Sequence, residues 1–319
     1  MKRTTSLLLI SILLVATACN RINKSSAPTL NTNPVIDPDS VSISIHDPGT
    51  VSVVEKRVAP QREGWNRHLP SLYGDVAEVT LIQYLPDASG KPINGCLECK
   101  EVYKFNKSGN VVEKREFDSD GTLWNKCLYK YSADGKMVEQ AWYKKDGSLD
   151  WKATYKRDDK ENFIEETSFN GDGTKRGLAL HKYNEKGVVI EEANYDGNGG
   201  LQWVAFYKYD SKGCLIEDAG YYSNGVIDYK FVNRYDSNGN IIESTEYNAD
   251  ELPIRNVVYK YNSKGEISEE EIYNSGSEKL ETKWFYTYDA QGNVVKISPL
   301  EHSPEPYNIV TEYSIVYRN

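Results

Sequence analysis

Tyr207-Lys208-Tyr209-Asp210-Ser211-Lys212-Gly213-Cys214-Leu215-Ile216-Glu217 is the stretch that decides the architecture. After a Tyr-rich run, Asp, two polar residues and Gly spell a type I turn closed by a left-handed glycine. The phrase recurs. Its copies begin at Tyr103, Tyr129, Tyr155, His181, Tyr207, Asn233, Tyr259 and Tyr286, with six gaps of 26 residues and a last gap of 27. A fixed period of that size means one small unit stacked in tandem.

A second turn follows within each unit, as in Tyr222-Ser223-Asn224-Gly225, Asp118-Ser119-Asp120-Gly121 and Asn170-Gly171-Asp172-Gly173. Each unit therefore holds two strands and two tight turns, with no room for a helix. The expected fold is all-β. Tandem 26-residue β-hairpin repeats form one long antiparallel meander of about 17 strands, coiled into a curved open sheet, a spiral or a barrel-like roll. Asn308 to Tyr317 reads as a closing strand.

Simple pairing across the first turn sets Asn106 against Asn110, and so Tyr103 against Glu113. On that register the odd positions share one aromatic, buried face. It includes Tyr129, Tyr131, Glu139, Trp151, Trp203, Tyr207 and Tyr209. The even face carries Lys104, Lys130, Lys156, Lys182, Lys208, Arg234 and Lys260, with a thin apolar stripe at Val112, Ile190, Ile216 and Ile242.

The phrase Tyr235-Asp236-Ser237-Asn238-Gly239-Asn240-Ile241 resembles the YD repeats of RHS-type proteins. The chain is similar to the small, non-toxin bacterial lipoproteins that carry such repeats, over roughly residues 72–319. The resemblance implies β-hairpin units that wind into a curved sheet or shell. Copies depart from the pattern at Arg157 and Glu161, and Glu251 and Ser277 replace turn glycines.

Several residues invite a chemical reading. Glu113, Glu139, Glu165, Glu191, Glu217, Glu243 and Glu269 hold one place in successive units. Paired carboxylates could serve a glycosidase. A ladder of equivalents instead reads as structure, each Glu accepting a hydrogen bond from a neighbouring Tyr hydroxyl. Trp151, Trp203, Tyr129, Tyr207 and Tyr209 read as core aromatics or as platforms for a sugar or peptide. Cys96-Leu97-Glu98-Cys99 is a lone C-x-x-C with no second pair for zinc and no following helix, so it reads as a local disulfide. The four histidines show no metal or triad spacing, and no phosphate or dinucleotide fingerprint occurs. No cofactor or metal is expected.

The N-terminus reads as a targeting segment. Lys2 and Arg3 precede a short apolar run, and Ala16-Thr17-Ala18-Cys19 suits cleavage before Cys19 and lipidation of its thiol. Two acyl chains make a stable anchor. The expected organisation is a signal peptide over 1–18, a lipidated terminus and flexible tether over 19–61, a half-unit with an inserted loop over 62–102, and the repeat domain over 103–319.

A net charge of −9 and a pI near 5.2 exclude a nucleic-acid footprint. The 24 Tyr against 7 Phe suit sheets with half-wet faces. The sequence thus points to an envelope lipoprotein, outer membrane preferred, tied to the membrane through Cys19. Its repeat domain is expected to be a non-enzymatic binding or scaffolding surface for another envelope protein or a glycan. The alternatives are an envelope enzyme or redox protein using the C-x-x-C loop or the Glu-lined aromatic face, and a structural spacer without ligand.

Overall fold

The computed structural model describes residues 41–45, 51–55, 69–93, 97–276, 279–300 and 308–318. Cys19, the targeting segment and Cys96 lie outside the described residues. A small hairpin, β1 (Val41–Ile45) with β2 (Val51–Glu55), stands in the stretch read as a flexible tether.

The other strands are β3 (Val76–Tyr84), β4 (Cys99–Phe105), β5 (Val111–Phe117), β6 (Leu123–Tyr131), β7 (Met137–Lys144) and β8 (Leu149–Arg157). They continue as β9 (Phe163–Asn170), β10 (Lys175–Tyr183), β11 (Val189–Asp196), β12 (Leu201–Tyr209), β13 (Leu215–Tyr222) and β14 (Ile227–Tyr235). The last six are β15 (Ile241–Tyr247), β16 (Pro253–Tyr261), β17 (Ile267–Asn274), β18 (Lys279–Tyr288), β19 (Val294–Pro299) and β20 (Val310–Tyr317). All neighbours from β3 to β20 pair antiparallel, and β20 returns to β3. The meander is a closed 18-stranded barrel.

The turns form as their residues dictate. Asp210 Oδ1 accepts the N–H groups of Lys212 at 2.9 Å and Cys214 at 2.8 Å, and Gly213 takes φ +86°. Asn106, Asp236 and Asn262 repeat this side-chain bracket. Glu161 and Glu251 take the glycine place with φ of +66° and +58°, the only non-glycine residues at positive φ among those described.

The same turn overturns the simple register. A glycine-closed type I turn adds a bulge, so two residues oppose one. Tyr209 pairs with Leu215 and Lys208 with Glu217, leaving Ile216 as the extra residue. Likewise Phe105 pairs with Val111 and Lys104 with Glu113, so Tyr103 faces Lys114 and not Glu113. Each turn therefore reverses which parity points inward. Inward residues are odd on β6 (Cys127, Tyr129) and even on β7 (Gln140, Trp142). The apolar stripe Val112, Ile190, Ile216, Ile242 is the row of bulge residues.

The Glu ladder moves with this correction. Glu113, Glu139, Glu165, Glu191, Glu217, Glu243 and Glu269 lie on the outer wall, each facing the repeat's cation. Their ion pairs with Lys104, Lys130, Lys156, Lys182, Lys208, Arg234 and Lys260 are 3.7, 2.5, 2.7, 2.7, 2.7, 2.5 and 3.3 Å long. None of the ladder needs a Tyr hydroxyl. Such exposed pairs, screened by water and salt, stabilise little.

The second tyrosine of the motif has its own task. Tyr131, Tyr183, Tyr235, Tyr261 and Tyr288 hydroxyls donate to the carbonyls of Val111, Phe163, Leu215, Ile241 and Ile267, each on the preceding strand, at 2.5–2.8 Å. Each acceptor is the residue at which a bulge interrupts the ladder. Where Arg157 replaces this tyrosine, its guanidinium instead caps Glu161 O at 3.1 Å. Tyr261→Phe should cost about 1–2 kcal/mol, the usual penalty for a half-buried acceptor losing its donor. The urea midpoint reads this, and an unchanged midpoint would count the bracket as idle.

The interior is filled on one side only. The buried apolar cluster draws on β3–β7 and β15–β20, with Tyr103, Tyr129, Tyr259 and Trp284 among its members and none from β8–β14. Leu72 joins the cluster, and Tyr73 exchanges backbone hydrogen bonds with the buried Asn293 side chain at 2.5 and 3.1 Å. The segment before β3 thus seals one rim of the filled half.

Candidate functional site

On the other side, along β8–β14, the large inward aromatic and acidic side chains are half-buried, while the inward Ala153, Ala205 and Asn233 are buried. This wall is where the sequence-predicted aromatics gather, apart from Tyr129, which belongs to the packed core. Trp151 stacks on Trp142 with ring centroids 5.8 Å apart and planes 16° from parallel. The Arg176 guanidinium lies 5.2 Å over the Trp151 ring. Trp203 lies 6.1 Å from Tyr229, which packs 5.7 Å from Phe231. Tyr207 and Tyr209 point inward on the same strand as Trp203.

Glycine makes one of these contacts available. A Cβ at Gly220 would sit 2.5 Å from Tyr229 Cε1 and 2.8 Å from Trp203 Nε1. Only the bare backbone lets both rings lie over this point of the sheet.

Between the rings stand two carboxylates. Glu192 pairs across the sheet with His181, and Asp218 with Tyr207 on one side and Phe231 on the other. Glu192 accepts from Tyr207 Oη at 3.4 Å and Asn194 Nδ2 at 3.3 Å. Asp218 accepts from Tyr229 Oη at 3.0 Å. Burial pushes the Asp218 carboxyl up to about 6, against the pull of the Tyr229 hydrogen bond, and the charge of Glu192 adds to the rise. Burial also lowers His181, with Glu192 opposing it. His181 stands 5.4 Å from Phe163, over which Arg157 lies at 5.5 Å. The irregular copies at Arg157, Glu161 and His181 are therefore linked through one ring.

The sequence reading missed Glu192, Asp218 and Trp142 because it carried one parity through every turn, and with them the grouping that Tyr229 and Phe231 complete. A signal was available. The residue after each ladder Glu varies: Lys114, Gln140, Glu166, Glu192, Asp218, Ser244 and Glu270. The ladder itself is uniform and serves the outer wall. The varied row faces inward, opposite the first residue of each motif.

Burial disfavours a thiolate at Cys99 and Cys127. Cys99, Cys127 and Cys214 are free thiols, and burial pushes Cys99 and Cys127 up to about 12. Among the described residues, no group of His, Cys, Asp and Glu could hold a metal ion.

No family model matches the chain, and no curated protein matches it. Among solved structures it is similar to a porin-like protein from Bacteroides uniformis ATCC 8492, at 15% identity and a TM-score of 0.45, over 76% of this chain and 98% of that one. A porin-like protein from Bacteroides vulgatus ATCC 8482 aligns at 12% identity and a TM-score of 0.32, over 76% and 99% of the two chains. The TcdB2-TccC3 toxin aligns at 13% identity and a TM-score of 0.28, over 74% of this chain and 16% of its own.

Proposed function

We propose that this chain is a bacterial envelope lipoprotein whose barrel is a non-enzymatic binding module, and that the inner wall of β8–β14 takes a glycan. The observation that carries this reading is the half-buried aromatic wall of Trp151, Trp203 and Tyr229, which Trp142 on β7 extends by stacking on Trp151, with carboxylates Glu192 and Asp218 set among the rings. Flat rings offer stacking faces to pyranose rings, and carboxylates accept from sugar hydroxyls.

The outer wall supports an aqueous setting for the barrel itself. No helix among the described residues is long and apolar enough to cross a membrane, which says nothing of strands. The strands speak through their charges. Lys130, Lys156, Lys182, Lys208 and Arg234 project outward with side chains 65–69% exposed. A lysine or arginine on a lipid-facing barrel wall costs roughly 2–4 kcal/mol at the bilayer midplane. A repeating ring of them suits water. Attachment to the membrane is then the task of the Cys19 anchor.

Tryptophan fluorescence against a panel of oligosaccharides tests the reading. Trp203→Ala should weaken binding of any hit by about tenfold, roughly 1.4 kcal/mol. Binding that survives loss of both Trp151 and Trp203 would place the ligand elsewhere. Release of reducing sugar, abolished by Asp218→Asn, would replace the binding module with a hydrolase.

A further inference from the structure

We infer that the glycan lies across the strands, in a trough over β9–β11 that takes an oligosaccharide of three or more sugar units and does not hold a single sugar. The inference deepens the glycan reading and rests on it for the chemistry of the ligand. The length requirement comes from the wall itself.

The repeat shows where the wall is cut away. β8 and β12 each send Trp, Ala and Tyr inward at alternate positions, Trp151, Ala153 and Tyr155 on one and Trp203, Ala205 and Tyr207 on the other. β10 stands midway between them and carries Gly177, Ala179 and His181 at the same three places. Glycine thus replaces tryptophan between two tryptophans. Ala153 and Ala205, each set between a Trp and a Tyr of its own strand, are 0% exposed, whereas Ala179 is only half-buried. Later copies fill the place of Ala179 with Phe231, Val257 and Trp284.

Register runs one line across this trough. Tyr155 pairs with Glu166, Glu166 with Ala179, Ala179 with Asn194, and Asn194 with Trp203. An aromatic ring stands at each end, an alanine in the middle, and a carboxylate and an amide between. Tyr155 and Trp203 are four strands apart, on the order of 19 Å at the backbone. One pyranose cannot touch both rings. A chain of three or more can, with its middle units over Ala179 and their hydroxyls toward Glu166 and Asn194. An extended peptide docks by adding to a free strand edge, and β8–β12 offer none, each being paired on both sides.

The β8 end adds an independent sign of a ligand. Gln140 stands directly across from Ala153 and is 2% exposed, and its Oε1 is buried with no hydrogen-bond partner among the described residues. Tyr155 Oη is buried and unpartnered in the same way. A sugar hydroxyl both donates and accepts, so it answers an amide oxygen and a phenol alike.

The test is calorimetric titration of the full chain with cellulose- and chitin-derived sugars, each from monomer to tetramer. In a series that binds, the tetramer should bind at least tenfold more tightly than the dimer. Ala179→Phe, which gives β10 the residue that β14 has as Phe231, should abolish that gain, and Ala179→Ser should keep it. Gln140→Leu should weaken tetramer binding about tenfold while the urea midpoint holds or rises, because it deletes a buried acceptor that has no donor. Circular dichroism and gel filtration confirm that each variant keeps the barrel. If Ala179→Phe does not fold, Gln140→Leu carries the test, and unchanged tetramer affinity then overturns the trough. Equal affinity from dimer to tetramer, or a tetramer held as tightly by Ala179→Phe, also overturns the trough and leaves the glycan reading standing. No binding in either series overturns both.

Discussion

Truncating the chain after Leu300, which removes β20, should abolish cooperative folding, a loss on the order of 5 kcal/mol or more. β20 makes the ring. It pairs with β3 over eight residues, from Val310 with Tyr84 to Tyr317 with Val76, but with β19 at only two, Lys296 with Glu312 and Ile297 with Thr311. Side chains reinforce the β3 side. Gln83 donates to Thr311 at 3.2 Å and Tyr84 to Glu312 at 2.8 Å. Arg318 then spans three strands, bonding Asp75, Val76 O at 2.9 Å, and Phe105 O. Without β20, β3 and β19 become open edges, and long unpaired edges recruit other chains. Gel filtration should show aggregates, and the thermal transition should broaden. Arg318→Ala is the milder version, costing about 1–3 kcal/mol with the ring intact. A truncated chain that stays monomeric and melts sharply would mean that the repeats hold together without closure.

Glu270→Gln should reverse the sign usually expected for losing a charge, making the protein more stable above neutral pH. Glu270 is 2% exposed inside the packed half, and Tyr286 donates to it at 2.6 Å. Burial pushes its carboxyl from an ordinary 4.5 up to about 7, while the Tyr286 hydrogen bond holds the rise back. The folded protein therefore keeps the proton that the unfolded chain releases. A raised carboxyl contributes its stability in full below about 4.5 and loses it as pH climbs toward 7. Over that window the loss is about 3 kcal/mol, at ~1.4 kcal/mol per pH unit. Glutamine keeps an acceptor for Tyr286 and does not titrate. Urea unfolding should show wild type and variant nearly equal at pH 4.5 and the variant ahead by about 2–3 kcal/mol at pH 8. Equal stability at both pH values would mean that Glu270 ionises in place.

How much was legible beforehand follows from what the turn signature does and does not state. The period, the all-β class, the two turns per unit and the closing strand at the C-terminus are local facts. Asp210 and Gly213 announce their turn through side-chain oxygen and left-handed φ, and the folded chain has both. The bulge that follows from the same turn was present in the sequence too, and overlooking it moved a whole ladder of glutamates to the wrong wall. Lys208 opposite Glu217 is the plain evidence. Trp142 and Asp218 sit at even positions and were passed over for that reason alone.

The amino-acid order by itself determined the repeating hairpin, because Asx brackets, turn glycines and Tyr-Lys-Tyr strands act within about ten residues of one another. Only the tertiary structure decided that the ends meet, since β3 and β20 pair across more than two hundred residues and no local rule reaches that far. It also decided which half of the ring fills with side chains. That choice depends on what faces each strand across the interior, where Leu72 and Trp284 join one cluster while Trp203 and Asp218 remain half-open.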